Sequence, residues 1–331
     1  MITAEIISFI KKSNCVITGG AGFIGSNLVE ELLRIGAQKV IVLDDLSTGF
    51  ADNLKEFSDH EAYEFINGSI TDYEICVKAF EGADIVFQLA ALGSVPRSID
   101  NPRKTNEVNV TGFLNVLNAA RVTQVQKVVY SSSSSVYGDD DHLPKVEHLT
   151  GNPLSPYAVT KQANELYARV FHDVYGMDIV GLRYFNVFGP KQSVKGPYAA
   201  VIPIFIENLI KSQPCYINGD GTISRDFTFV QNVVEANICA AYAQIENPDD
   251  RILNIAMGKQ LSLNDLYGML EDEIKSELKP VHRDPRVGDI QSSQADISKA
   301  RRLIGFEPKY PLQEGLKKTI EWNLKRAETN T

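Results

Sequence analysis

Thr18-Gly19-Gly20-Ala21-Gly22-Phe23-Ile24-Gly25 follows an apolar run at 15–18 and opens a segment of helical periodicity that continues to Ile35. Glycines between a strand and a helix permit a tight turn, let the backbone approach a pyrophosphate, and let the helix pack close to the sheet. A phosphate placed there meets free N–H groups and the positive end of the helix dipole. Glycine turns also arise for purely structural reasons, so the pattern alone is weak. Asp44 strengthens it, because it ends the next apolar run nineteen residues after Gly25. An acid at that distance binds the hydroxyls of an adenosine ribose. The same carboxylate would repel a 2′-phosphate, which selects NAD over NADP.

Working outward, the first half alternates short β-branched runs with longer helical patterns. Candidate strands are 15–18, 39–43, 63–66, 85–89, 127–131 and 178–184, and candidate helices are 22–35, 72–80, 102–121 and 156–175. The strands read as continuously apolar, as strands covered on both faces do. This alternation predicts right-handed βαβ units and an α/β fold with a doubly wound parallel sheet. After Tyr184 the chain is rich in Gly and Pro, with a helix near 201–212, further sheet and helix at 226–244 and 251–256, and a tail of loops around a helix near 263–276. The expected division is a cofactor-binding unit of 1–184 with 226–256, and a smaller mixed α/β unit of 185–225 with 257–331.

Composition narrows the partners. The 331 residues are 44% hydrophobic and 23% charged, with a net charge of −9. That balance is globular, and the negative charge argues against nucleic acid or an anionic membrane as a partner. No apolar stretch approaches the ~20 residues of a membrane helix, and Ile2, Ile6, Phe9 and Ile10 fit one side of a short helix rather than a signal peptide. Cys15, Cys76, Cys215 and Cys239 are scattered and form no CxxC pair. They read as reduced thiols in a cytoplasmic protein, and the five histidines lack metal-ligand spacing, so no metal is expected.

Tyr157 and Lys161 lie four apart on the helix expected from Pro156, which puts both on one face. A phenol of pKa ~10 is a poor base at neutral pH unless positive charge favours its phenolate. Lys161 supplies such a charge, and the serine run 131–135 at the preceding strand tip supplies a hydroxyl. A lone YxxxK reads as a solvated helix face. Following a glycine turn and a serine strand tip, it reads as acid/base chemistry beside a nicotinamide.

The chain resembles the extended short-chain dehydrogenase/reductase family and, within it, the nucleotide-sugar epimerases, most nearly the bacterial UDP-N-acetylglucosamine 4-epimerases. The likeness covers nearly everything after Asn14. It rests on Gly93-Ser94-Val95-Pro96-Arg97-Ser98, Leu154-Ser155-Pro156-Tyr157-Ala158-Val159-Thr160-Lys161 and Arg183-Tyr184-Phe185-Asn186-Val187-Phe188-Gly189. It continues through Tyr216-Ile217-Asn218-Gly219-Asp220-Gly221, Ser224-Arg225-Asp226-Phe227 and Arg286-Val287-Gly288-Asp289.

The resemblance implies roles for single residues. Ser133 becomes the hydroxyl partner, Tyr157 the acid/base, and Lys161 the holder of the nicotinamide ribose. Gly19, Gly22, Phe23, Ile24, Gly25, Asp44, Ser69, Ile70, Leu89, Ala90, Ala91, Asn109 and Tyr184 would complete the NAD site. Asn186, Arg225 and Arg286 would hold the diphosphate of a UDP-sugar, Asp289 the uridine ribose and Tyr216 the uracil, with Ala200 and Val201 nearby. On residue type alone, the arginines read equally as surface ion pairs and Tyr216 as core. One departure is Gly68-Ser69-Ile70, where the family usually has Asp before Ile to touch the adenine amino group; serine can accept through its hydroxyl.

The resemblance also bears on the reaction. Related 4,6-dehydratases carry an acidic pair just after the catalytic hydroxyl residue, where this chain has Ser134 and Ser135. That leaves reversible oxidation at C4 with a tightly held NAD. Ser293 matches the position beside C2 of the sugar, where a tyrosine would crowd an N-acetyl group; on spacing alone it reads as a loop serine. Gly93, Ser94, Ser134 and Gln192 match positions near the same group. The alternatives are epimerisation of UDP-glucose/UDP-galactose or of a UDP-hexuronate, or a non-catalytic NAD-binding regulator. A homodimer is expected from the resemblance and from the helices near 102–121 and 156–175, which could pair with a symmetry mate.

Overall fold

The computed structural model describes residues 2–194, 200–285 and 292–329. Helix α1 (Ala4–Ile10) is capped by the Thr3 side chain and buries Ile6 and Ile10. Then follow β1 (Asn14–Thr18), α2 (Phe23–Ile35), β2 (Lys39–Asp44), β3 (Tyr63–Asn67), α3 (Tyr73–Phe80) and β4 (Ile85–Gln88). Asp72 caps α3 by accepting the N–H groups of Glu74 and Ile75, as the acidic start of that segment predicts.

The helix expected over 102–121 is interrupted. After α4 (Val95–Asp100), it comprises α5 (Pro102–Asn106), a π-helical turn (Glu107–Gly112) and α6 (Phe113–Val122). Asn101 ends α4 and caps α5 through the N–H of Lys104, with Pro102 at the first turn. The wider π turn aims Asn109 inward, where it bonds both backbone groups of Leu92.

Beyond α6 run β5 (Lys127–Ser133), α7 (Pro156–Tyr175), β6 (Ile179–Tyr184), β7 (Val187–Phe188), α8 (Val201–Ile210), β8 (Tyr216–Asn218), β9 (Ser224–Arg225), β10 (Thr228–Phe229), α9 (Val230–Tyr242) and β11 (Ile252–Ile255). The chain closes with β12 (Leu261–Ser262), α10 (Leu263–Ile274), β13 (Val281–Arg283), α11 (Ser298–Ile304) and α12 (Leu312–Thr329). The last two helices replace the loops expected of the tail. Among the residues of α12 whose burial is described, Leu316 and Ile320 are the buried apolar ones, too sparse a stripe to announce the helix.

Seven strands form one parallel sheet in the order β11-β6-β5-β4-β1-β2-β3. Successive residues face opposite sides: Cys15 and Ile17 join one apolar cluster, Val16 the other. Strand order reverses between β1 and β4, and ligands of such sheets bind at the carboxyl ends of the strands there. At that point the Thr18 hydroxyl bonds the side chain of Gln88 and accepts the N–H of Ala90. The first apolar cluster runs on without a break from β1 and α2 to Phe205 of α8, Leu266 of α10 and Leu316 of α12, and so supports the smaller elements against the same sheet.

Candidate active site

The turn between β1 and α2 is fixed by backbone packing. A Cβ on Gly25 would collide with the Gly19 carbonyl and lie 2.7 Å from Gly20 Cα. Gly19 has φ +70°, and a Cβ there would sit 2.7 Å from the backbone of Ala90. Gly22, the residue before α2, provides no side-chain cap, so the first N–H groups of the helix remain open to an anion. Asp44 ends β2 at the same rim; its carboxylate accepts Ala21 N–H at 2.9 Å and Leu46 N–H at 2.8 Å. Burial raises its pKa, and those two bonds pull it back. The space and the donors fit a dinucleotide.

A cleft of about 680 Å³ opens from this turn. Every residue expected to bind NAD lines it except Asn109, which braces its wall through Leu92 and Thr160. Ser69 lines it too, with its hydroxyl accepting from that of Thr71 at 3.0 Å. Sequence reasoning missed Asp45, whose burial is outweighed by the Ser47 and Ser69 hydroxyls, so that its pKa falls. Its place directly after Asp44 was the available signal.

Ser133, Tyr157 and Lys161 come together deeper in the cleft. Pro156 starts α7 behind the Ser155 cap, and the Tyr157 N–H is held by Ser98 Oγ at 3.0 Å. Burial raises the phenol pKa, and the Ser133 hydroxyl opposes that rise. Lys161 Nζ stands 5.9 Å from the Tyr157 ring centroid and donates to Ser131, at 2.6 Å to its carbonyl and 3.3 Å to its hydroxyl. Only 2% exposed, Lys161 is drawn down by burial to a pKa of about 8, against the pull of Glu165.

Of the residues assigned to the sugar nucleotide, Gly93, Ser94, Ser134, Asn186, Arg225 and Ser293 line the same cleft. Asn186, at φ +34°, donates to the Asp226 carbonyl, and the buried Asp226 carboxylate accepts N–H groups of Met257, Gly258 and Ala295. These bonds tie the segment carrying Ser293 to the strand carrying Arg225. Gln192 folds back to the Val187 carbonyl, and Ala200 and Val201 begin α8 away from the described wall. Tyr216 is half exposed on β8 under the Arg283 guanidinium, 3.2 Å from the ring centroid, and does not line the cleft as described. Arg286 and Asp289 lie outside the described residues. Asp140 and Lys145, ion-paired at 2.9 Å on the cleft wall, carried no recognisable sequence signal.

A glycine turn that admits a pyrophosphate, with a phenol and an ammonium beside the adjacent strand tip, defines a nicotinamide-dependent enzyme of the extended short-chain dehydrogenase/reductase type. The chain belongs to the NAD dependent epimerase/dehydratase family, whose model matches residues 15–256, and NAD is its cofactor. It is 37% identical over 309 residues to a putative UDP-glucose 4-epimerase of Methanocaldococcus jannaschii, covering 93% of this chain and 97% of the relative. A UDP-glucuronate 4-epimerase of Thermodesulfobacterium geofontis is 34% identical over 321 residues, covering 95% and 97%. Among solved structures, the UDP-N-acetylglucosamine 4-epimerase from Methanobrevibacter ruminantium M1, in complex with UDP-N-acetylmuramic acid, superposes with a TM-score of 0.90 at 39% identity, covering 95% and 99%.

Proposed function

We propose that the chain interconverts the C4 epimers of a UDP-N-acetylhexosamine, UDP-GlcNAc and UDP-GalNAc, through a transient 4-keto sugar. The observation that carries this reading is the serine tip beside Tyr157. Ser134 and Ser135 leave no carboxylate there to drive elimination, and the small Ser293 stands on the wall of the same cleft. The relatives act on three different sugars at similar identity, so the site, rather than the overall likeness, supports the choice among them.

In this reading Gly19, Gly22 and Gly25 admit the pyrophosphate, Asp44 holds the adenosine ribose, and Lys161 holds the nicotinamide ribose. NAD supplies a hydride acceptor at C4 that can return the hydride, and its oxidised ring adds positive charge beside Tyr157. Tyr157, as phenolate, takes the proton of the C4 hydroxyl while Ser133 holds the phenolic oxygen by a hydrogen bond. Lys161 keeps a cation next to that oxygen. Asn186 and Arg225, with Arg286 and Asp289, hold the UDP while the ketose turns its other face, and guanidinium groups suit diphosphate oxygens. Tyr157 then returns the proton. The unit of 185–225 with 257–331 thus carries the nucleotide of the sugar, and that of 1–184 with 226–256 carries NAD.

The active form in this reading is a cytoplasmic homodimer. Val159, Leu166, Val170 and Val174 form an exposed apolar stripe along α7, with Ile99 of α4 and Val122 of α6 exposed as well. Such a stripe along α7, with single exposed apolar residues on α4 and α6 beside it, suits an isologous helical contact. The cysteines are free and buried, and among the described residues no helix is long and apolar enough to cross a membrane.

The test is product analysis with UDP-GlcNAc, UDP-glucose and UDP-glucuronate, on the wild type and on Ser293→Tyr. The reading expects turnover of UDP-GlcNAc that falls at least tenfold in the variant while UDP-glucose turnover is kept. Equal loss on both sugars would contradict the role of Ser293. No turnover of UDP-GlcNAc by the wild type would contradict the substrate.

A further inference from the structure

One turn beyond Lys161 on α7 lies a buried ion pair that does not line the cleft. Glu165 follows Lys161 by one helical turn, so Tyr157, Lys161 and Glu165 share a single face. Arg183, in β6 and 3% exposed, donates to both Glu165 oxygens, from Nε at 2.9 Å and Nη2 at 2.8 Å. Its third donor, Nη1, reaches the Glu147 carbonyl at 3.0 Å. Glu165 Oε1 also accepts the Ser132 hydroxyl at 2.5 Å.

Ser132 sits between the two serines of the strand tip that serve the site. Ser131 receives Lys161, and Ser133 acts on the phenol of Tyr157. A buried ion pair is weak evidence for stability, because desolvation offsets its attraction. This one is placed where its charge and its hydrogen bond both reach the reaction site. We propose that Glu165, oriented by Arg183, is a positioning residue that keeps a negative charge one turn from Lys161 and anchors the serine tip through Ser132. The proposal rests on the reading of Tyr157 and Lys161 as the acid/base pair.

The groups that face Lys161 are Tyr157 and Glu165 on its own helix and Ser131 on β5. Arg183 on β6 and the buried phenol of Tyr130 on β5 act on the pair from behind. Glu165 is the carboxylate that opposes the downward pull of burial on Lys161. Removing its charge therefore lets Lys161 lose its proton at lower pH, and the alkaline limb of kcat should move with it.

The experiment is the kcat profile between pH 6 and 10 of the NAD-loaded enzyme with UDP-GlcNAc. Glu165→Gln should move the alkaline limb down by about one pH unit or more, with KM for the sugar nearly unchanged. Ser132→Ala, which keeps the charge, should leave the limb in place and lower kcat alone. Because Glu165→Gln leaves Arg183 without its partner, the double variant Glu165→Gln/Arg183→Met is measured beside it; it removes the cation together with the carboxylate, so its limb should move down by less than that of Glu165→Gln. A limb at the wild-type position in the folded Glu165→Gln variant would overturn the proposal. Failure of the double variant to fold would overturn it too, by making the pair structural. If Tyr157→Phe retains full turnover, it is the acid/base reading itself that fails, a result separable from either of these.

Discussion

The Asp44 carboxylate and the Ala21 N–H are joined at 2.9 Å, so the tip of β2 is fastened to the glycine turn that follows β1. One buried acid thus shapes the glycine turn and, in the proposed reading, holds the adenosine ribose. Asp44→Ala removes both functions. A hydrogen bond to a charged group is worth about 1.5–3 kcal/mol, so NAD affinity should fall by roughly 10–100-fold. The NAD content of the purified variant and titration with NAD measure it, and a full complement of NAD in the variant would contradict the assignment.

In the proposed reading, Tyr157→Phe deletes the hydroxyl that exchanges a proton with the sugar. Turnover should fall by about 10²–10⁴-fold, the usual worth of general acid–base catalysis. The cleft keeps its shape, so NAD should stay bound and its absorbance should be measurable in the purified variant. Turnover within a few-fold of wild type would remove Tyr157 from its role.

Lys161 carries its charge at a cost to the fold. Its pKa is moved by burial from 10.5 to about 8, so holding it protonated at neutral pH costs on the order of 3 kcal/mol. The folded pKa lies below the unfolded one, so the unfolded chain binds more protons between the two values. From this group, stability rises with pH between about 8 and 10.5, and the penalty is complete below about 8. Lys161→Met should therefore raise Tm at pH 7 while abolishing turnover, as residues kept for function often do. Calorimetry at pH 7 and pH 9.5 checks it. A lowered Tm at pH 7 would contradict the account.

Leu166 is 69% exposed in the middle of the α7 stripe. A homodimer built on that stripe would bury it, and Leu166→Glu would place two like charges near the twofold axis. Light scattering should give twice the mass of one chain for the wild type and a single-chain mass for the variant. A monomeric wild type would set the dimer aside.

The sheet and its cofactor turn were legible because both rest on strong local rules. Strands buried on both faces must be largely apolar, as 15–17 of β1, 85–87 of β4 and, Arg183 aside, β6 are. A tight turn packed against backbone accepts only glycine, as at Gly19 and Gly25. Tyr157 and Lys161 were legible from helical spacing once the strand tip preceded them. The π turn at Glu107–Gly112 was not, since it depends on the bonds of Asn109 to Leu92, a segment remote in sequence. Nor was the Glu165–Arg183 pair, because an acid on α7 and an arginine in an apolar strand announce no partnership until β6 lies beside β5. Strand β11 completes the sheet at β6 from nearly seventy residues away, a pairing that local pattern cannot carry.

The central claim is that one hydride leaves C4 and returns to the same carbon within the closed site. Purified enzyme, given no added NAD, is incubated with UDP-GlcNAc carrying deuterium at C4, and the products are separated and weighed by mass spectrometry. The expected result is UDP-GalNAc that retains its deuterium. Product that has exchanged the label for solvent hydrogen, or a sugar recovered unepimerised, would contradict the account.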